Sequence, residues 1–221
     1  MKIYDIELTI LSPIQFYGIQ SRKGTRTPPF IGDIALTYAM AHQLGIQNYP
    51  DPSNFEPLYK NEMKQFNFLF TVSVPISLIE NNIWAPIYMK QLYRNTMQGI
   101  DYNGTNVFSG NETGSSMYKN FFFTQSLKPG YDNKFIGGFI SFDEKIIPID
   151  TLRVGNGKTG VVKLTYKESD NSSLFYINQY TVENIFEKKL PEISFKNVYY
   201  PFNPYKIMGP ITKEQLKSIF Y

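Results

Sequence analysis

Two apolar runs, Ile146, Ile147, Ile149, Leu152 and Val154 on one side and Val161, Val162 and Leu164 on the other, enclose Gly155, Gly157 and Gly160. Arg153 and Lys158 flank these glycines. Glycine takes positive φ at little steric cost and lets another molecule approach the main chain, so the spacing suggests amides that point outward. With two cations beside them, such amides favour an anion, most simply a phosphate. A plain hairpin closed by a glycine turn is the competing reading, because a short glycine motif is weak without its context. A nucleotide-binding P-loop does not fit, although Gly157-Lys158-Thr159 matches its end. Leu152 stands where the first glycine of that loop belongs, and the β-branched run from Val161 to Tyr166 predicts a strand where a helix is required.

Other cations fall near aromatic or stiffened segments. Arg22, Lys23 and Arg26 lie in a loop, Gln20 to Pro29, that ends in two prolines. Such a loop can clamp a phosphate backbone, although taken alone a cluster of this kind is more simply a solvated one. Lys90 and Arg94 interleave with Trp84, Tyr88 and Tyr93. Base stacking and phosphate contact require that combination together, while core packing is the better reading for Trp84. Arg94 and Lys119 stand at the base of a segment, 95–120, rich in Gly, Asn, Ser and Thr, which is either a flexible loop or an extended hairpin reaching out of the domain.

The chain has 221 residues, 42% hydrophobic and 16% aromatic but only 19% charged, which is enough to bury a core and argues against disorder. Aromatic and β-branched enrichment with frequent Asn, Gly and Pro breaks predicts a sheet-rich α+β protein. A formal charge of +3 permits a nucleic-acid partner without requiring one. Cysteine is absent and His42 is the single histidine, so no disulfide framework, thiolate site or zinc site is expected, nor any other metal or cofactor. Met1-Lys2 runs directly into an alternating strand and no apolar window reaches the length of a membrane span, so a cytoplasmic protein is expected. Asn-x-Ser/Thr triplets begin at Asn103, Asn111 and Asn171, as chance allows in an Asn-rich chain.

Elements that position the cations follow from periodicity. Lys2 to Leu11 alternates as a strand and stops at Ser12-Pro13. Asp33 is a candidate N-cap for a helix carrying Ile34, Tyr38, Ala41 and Leu44 and ending at Gly45. His42 near its end more naturally caps or packs than catalyses. A short helix to Lys64 precedes strands over Phe66 to Pro75, Phe121 to Gln125, Lys134 to Phe142 and Ser173 to Val182, with Pro129-Gly130 turning between two of them. The proline-rich tail ends in a short helix at Thr212, where Thr212 and Gln215 have capping-box spacing. This order fits a single domain, residues 1–221, with a ferredoxin-like βαββαβ core, an antiparallel sheet and insertions.

Four segments carry a resemblance to a known family. Tyr4-Asp-Ile-Glu-Leu-Thr-Ile-Leu-Ser-Pro13 and Pro29-Phe-Ile-Gly-Asp-Ile-Ala-Leu-Thr-Tyr-Ala39 resemble the N-terminal strand and helix of the small RAMP subunit of CRISPR type I-D Cascade complexes, the Csc-one family of the Cas-five group. Lys134-Phe-Ile-Gly-Gly-Phe-Ile-Ser-Phe142 and Ile149-Asp-Thr-Leu-Arg-Val-Gly155 resemble its phenylalanine-rich strand, Leu-Gly element and basic glycine loop. The resemblance covers both ends of the core and leaves out 95–120 and the tail. It implies an RRM-like RAMP fold with a thumb-like inserted hairpin at 95–120. It also implies a non-catalytic subunit that caps the 5′ handle of the CRISPR RNA beside the large subunit and the backbone RAMP subunits, near the target DNA, in antiviral defence. The RNA-binding residues it would use are Arg22, Lys23, Arg26, Lys90, Arg94, Lys119, Arg153, Gly155, Gly157, Lys158 and Gly160. Two alternatives remain: a metal-free endoribonuclease acting on precursor CRISPR RNA through His42, Tyr38 and Lys158, and a structural or assembly protein that binds no RNA.

Overall fold

The structure, a computed structural model, describes residues 1–16, 19–21, 24–46, 59–94, 121–143, 149–155, 159–190, 194–202 and 205–220. In chain order its elements are β1 (Lys2–Ser12), β2 (Ile19–Ser21), β3 (Gly24–Arg26), α1 (Asp33–Gln43), α2 (Tyr59–Met63), β4 (Phe68–Phe70), β5 (Val74–Pro75) and α3 (Ile76–Asn81). There follow β6 (Tyr88–Arg94), β7 (Phe121–Leu127), β8 (Gly130–Ser141), β9 (Thr151–Val154), β10 (Gly160–Glu168) and β11 (Leu174–Asn178). A π-helical turn (Thr181–Ile185), β12 (Asn197–Phe202), β13 (Tyr205–Thr212) and α4 (Lys213–Phe220) complete the described chain.

The protein is a mixed α/β molecule built on antiparallel sheets. Its main sheet has the order β4-β8-β1-β10-β9, with β5 also paired to β8, and every neighbouring pair is antiparallel. β1 is central because its alternation is complete on one side: Ile6, Leu8 and Ile10 are at most 1% exposed. On the same face stand Phe135 of β8, opposite Leu8, Phe139 of β8, opposite Tyr4, and Val162 and Leu164 of β10, opposite Ile10 and Leu8, and Leu36 and Met40 of α1 join the same core. Each such side chain contributes about 1.5–3 kcal/mol by leaving water.

The helix at 33–43 begins one residue away from the expected cap. Gly32 occupies the cap position with no side-chain cap bond, and Asp33 is buried inside the first turn. Its carboxylate accepts hydrogen bonds from the Thr181 hydroxyl and, at 3.3 Å, from the Asn178 side-chain amide. Burial pushes the Asp33 pKa up, against the pull of those bonds. The residue therefore ties the start of α1 to the end of β11 instead of capping its own helix.

Other expectations are revised by local chemistry. The expected strand over Phe66 to Pro75 is divided into β4 and β5, with the Thr71 hydroxyl accepting the Gly138 amide at 2.7 Å at the break. The expected strand from Ser173 stops at Asn178, whose side-chain oxygen accepts the Tyr180 amide at 3.2 Å and turns the chain into the π-helical turn. Pro129-Gly130 does turn the chain between β7 and β8 as expected, and the two strands belong to different sheets, since β7 pairs with β3 and β6 and β8 pairs with β1. The tail carries two strands that its prolines had hidden. β13 runs between β11 and β12, and its register against β11 shifts between Phe175 and Ile177, opposite Gly209-Pro210, so the proline stands where the ladder is interrupted. At α4 the Thr212 amide donates to Gln215 at 2.8 Å and the Gln215 amide donates to Thr212 at 3.3 Å, the reciprocal pair that the spacing predicts.

Candidate nucleic-acid interface

The glycine segment joins two paired strands. β9 and β10 run antiparallel from Thr151 opposite Lys163 to Val154 opposite Gly160, so a strand, not a helix, follows the glycines. Leu152, Val154, Val162 and Leu164 turn into the core, which leaves Arg153 exposed on the opposite face. Asn156, Gly157 and Lys158 lie outside the described residues.

Two of the glycines are explained from beneath. Gly155 has φ of +84°, and a Cβ there would lie 2.7 Å from the Gln15 carbonyl oxygen. At Gly160 a Cβ would lie 2.8 Å from Ile14 Cγ1 and 2.8 Å from the Val154 carbonyl oxygen. The chain leaving β1 thus passes so close under the hairpin that side chains have no room. Ser12 pins the crossing: its hydroxyl donates to the Thr159 carbonyl at 2.9 Å and accepts the Val161 amide at 2.8 Å.

The same crossing segment holds a second sheet. Ile14 exchanges backbone hydrogen bonds with Leu127 at 3.2 and 2.8 Å, and the Phe16 amide donates to the Thr27 hydroxyl at 3.2 Å. Leu127 ends β7, a member of the four-stranded sheet β2-β3-β7-β6. In that sheet Arg26 of β3 stands opposite Gln125 of β7, and Gln125 stands opposite Lys90 of β6. Directly paired residues share a face, so Arg26, Gln125 and Lys90 form one cross-strand row, with both cations exposed. The Arg26 guanidinium sits 4.5 Å from the centre of the Tyr88 ring, and the Tyr88 hydroxyl donates to the Thr27 carbonyl at 2.9 Å. Burial raises the Tyr88 pKa while the Arg26 charge pulls it down.

Of the residues expected to bind RNA, the fold brings Arg26 and Lys90 together in one row and places Arg153, Gly155 and Gly160 on the β9–β10 pair. The Ile14 segment joins the two groups. Arg94 ends the β6–β7 ladder opposite Phe121, at the edge of 95–120. Arg22, Lys23, Lys119, Gly157 and Lys158, together with the whole of 95–120, lie outside the described residues. The sequence pattern does not single out Ser12 or Gln125. Only the pairing of distant strands reveals them, and β3 alongside β7 is a parallel pair with no local signature.

Trp84 packs as expected, with ring centres 5.0 Å from Tyr199 and 6.0 Å from Tyr176. His42 lies exposed in the last turn of α1, and the Tyr38 hydroxyl donates to the Glu62 carboxylate. Burial and that carboxylate push the Tyr38 pKa above its ordinary value, which keeps the hydroxyl protonated. Among the described residues no group of three His, Cys, Asp or Glu side chains is placed to hold a metal ion, and no helix is long and apolar enough to cross a membrane.

Compared with known proteins, the chain matches over residues 1–215 the family described as type I-D CRISPR-associated protein Cas5/Csc1. A comparison with curated proteins finds no match. Among solved structures, a chain in the cryo-EM structure of the type III-B Cmr-beta complex bound to cognate target RNA and AMPPnP is similar at a TM-score of 0.47 and 9% identity, covering 97% of this chain and 87% of that one.

Proposed function

The chain belongs to the type I-D CRISPR-associated Cas5/Csc1 family, and from that membership we propose that it is the non-catalytic CRISPR RNA-binding subunit of a type I-D effector complex. In this reading it grips the 5′ handle of the RNA beside the large subunit and the backbone RAMP subunits, near the entering target DNA, in the cytoplasm. What supports a ferredoxin-like core in this reading is the strand order β4-β8-β1-β10, alternating in direction with α1 between β1 and β4, and with β9 where a second helix is usual. The segment 95–120, carried between β6 and β7, is assigned as the thumb-like hairpin, and residues 1–221 as one RAMP domain.

One observation carries the proposal: the Ile14 segment brings an exposed arginine beside a glycine hairpin and a cation-aromatic row into one structural unit. Phosphates suit Arg153 and Lys158, while Arg26, Lys90 and Tyr88 suit a single strand bound by phosphate contact and stacking. No bond is broken in this reading, since Tyr38 holds its proton against Glu62 and is a poor partner for His42 in acid-base work. The test is a salt series of binding to the handle RNA by Arg153→Ala and Lys158→Ala. Each variant is expected to lower the slope by about 0.7 for every phosphate that it no longer neutralises, whatever the spacer sequence. Slopes equal to wild type in both variants would refute the site. Incubation with precursor CRISPR RNA is expected to give no product, and a cut abolished by His42→Ala would overturn the non-catalytic assignment.

A further inference from the structure

Resting on that reading, we propose that Lys163 is an additional phosphate-contacting residue, and that the RNA strand crosses the outward face of the main sheet over β9 and β10, beside the hairpin. The face is defined by pairing. Thr151 stands opposite Lys163, Lys163 opposite Thr9, and Thr9 opposite Lys134, which makes one row across β9, β10, β1 and β8. Burial agrees on β9 and β10, where Leu152, Val162 and Leu164 face the core and Arg153, Lys163 and Thr165 face out, whereas farther along this face Thr9, Ile3 and Ile140 are buried. Arg153 is diagonal to Lys163 on this face, and diagonal neighbours lie about 7–8 Å apart, within reach of long side chains that serve one strand of phosphates.

Charge gives the path its direction. Three lysines of β8 and β10 point outward from this face, and two are committed to carboxylates: Lys134 to Glu7 at 2.9 Å and Lys167 to Asp170 at 3.7 Å. Among the described residues Lys163 makes no ion pair. Asp5 lies on the same face of β1 two outward positions before Thr9, where its carboxylate repels a phosphate, and Glu7 between them is already paired with Lys134. The strand therefore meets favourable potential at Arg153 and Lys163, and an unfavourable one beyond the Lys134–Glu7 pair. Lys163 escapes a motif search because it sits in the middle of a strand, away from the glycines.

Binding of the full-length protein to a labelled oligouridylate, measured over a salt series, tests the assignment. Lys163→Ala is expected to lower the slope by about 0.7 and Lys163→Arg to restore it, with Lys167→Ala equal to wild type. If Lys163→Ala matches wild type while Arg153→Ala lowers the slope, the path across the sheet is wrong and the hairpin site stands. Should Arg153→Ala and Lys158→Ala also match wild type, the functional reading falls and this inference with it. A parallel arm with duplex DNA separates the two nucleic acids, and a Lys163→Ala effect on the duplex alone overturns the assignment to RNA.

Discussion

The β9–β10 hairpin and the β2-β3-β7-β6 sheet meet at Ile14 and both present cations, yet they hold them differently. At the hairpin the backbone sets the direction: alternation turns Arg153 outward, and no ring or ion pair among the described residues fixes its guanidinium. On the sheet a ring sets it, since Tyr88 lies under Arg26 and is itself tied to the Thr27 carbonyl. A side chain held before binding loses less conformational entropy when it meets a ligand. The glycines sharpen the contrast. Gly155 and Gly160 look from the sequence like amides prepared for an anion, whereas their geometry answers to the Ile14-Gln15 segment on the inner side. In the proposed function, the hairpin's hold on a phosphate is therefore assigned to Arg153, Lys158 and Lys163 more than to bare amides.

The largest effect expected from this contrast is on stability. Gly155→Ala combines a left-handed backbone with a Cβ driven 2.7 Å from the Gln15 carbonyl, so the loss should be roughly 2–4 kcal/mol in denaturant unfolding. Gly160→Ala lacks the backbone strain but meets Ile14 Cγ1 and the Val154 carbonyl, and should lose roughly 1–3 kcal/mol. If either variant kept wild-type stability and lost RNA affinity instead, the glycines would be amide donors after all, and the difference between the two regions would vanish.

These two glycines also mark how far the sequence could be read. Alternation in Lys2 to Leu11 and in Val161 to Leu164 predicts β1 and β10 because Ile6, Leu8 and Ile10 in one and Val162 and Leu164 in the other fall on a single face, and the capping pair Thr212 and Gln215 is a local rule obeyed locally. What escaped was set by distant contacts. Asp33 has the chemistry of an N-cap, but Thr181 and Asn178, far along the chain, claim its carboxylate. β13 contains Pro210, which argues against a strand between two others until its interrupted register is known. Of the candidate site, the cations of the hairpin were legible from glycine spacing. The Arg26–Gln125–Lys90 row was not, because a parallel pairing of β3 with β7 leaves no pattern within either segment.

A smaller effect tests the ring on the sheet. Tyr88→Phe keeps the face under Arg26 but removes the hydroxyl that donates to Thr27 and accepts from Arg26, so it should lose about 0.5–1.5 kcal/mol of stability and lower RNA affinity by less than Arg26→Ala does. An affinity loss as large as that of Arg26→Ala would mean that the hydroxyl itself meets the RNA, and that the ring's support of Arg26 is secondary.

The smallest and most discriminating change is arginine to lysine in the two regions. Both keep the positive charge, so long-range attraction to phosphate is preserved, but an ammonium cannot lie flat on a ring or donate from a planar fork. Arg26→Lys should weaken RNA binding by about two- to fivefold, which corresponds to the roughly 0.5–1 kcal/mol of an exposed cation–ring contact. Arg153→Lys, with no ring beneath it among the described residues, should bind within about twofold of wild type, as a point charge serving a phosphate does. Equal losses at both positions would show that the hairpin arginine is also used as a planar fork, and the contrast would then lie only in how the free protein holds the two side chains.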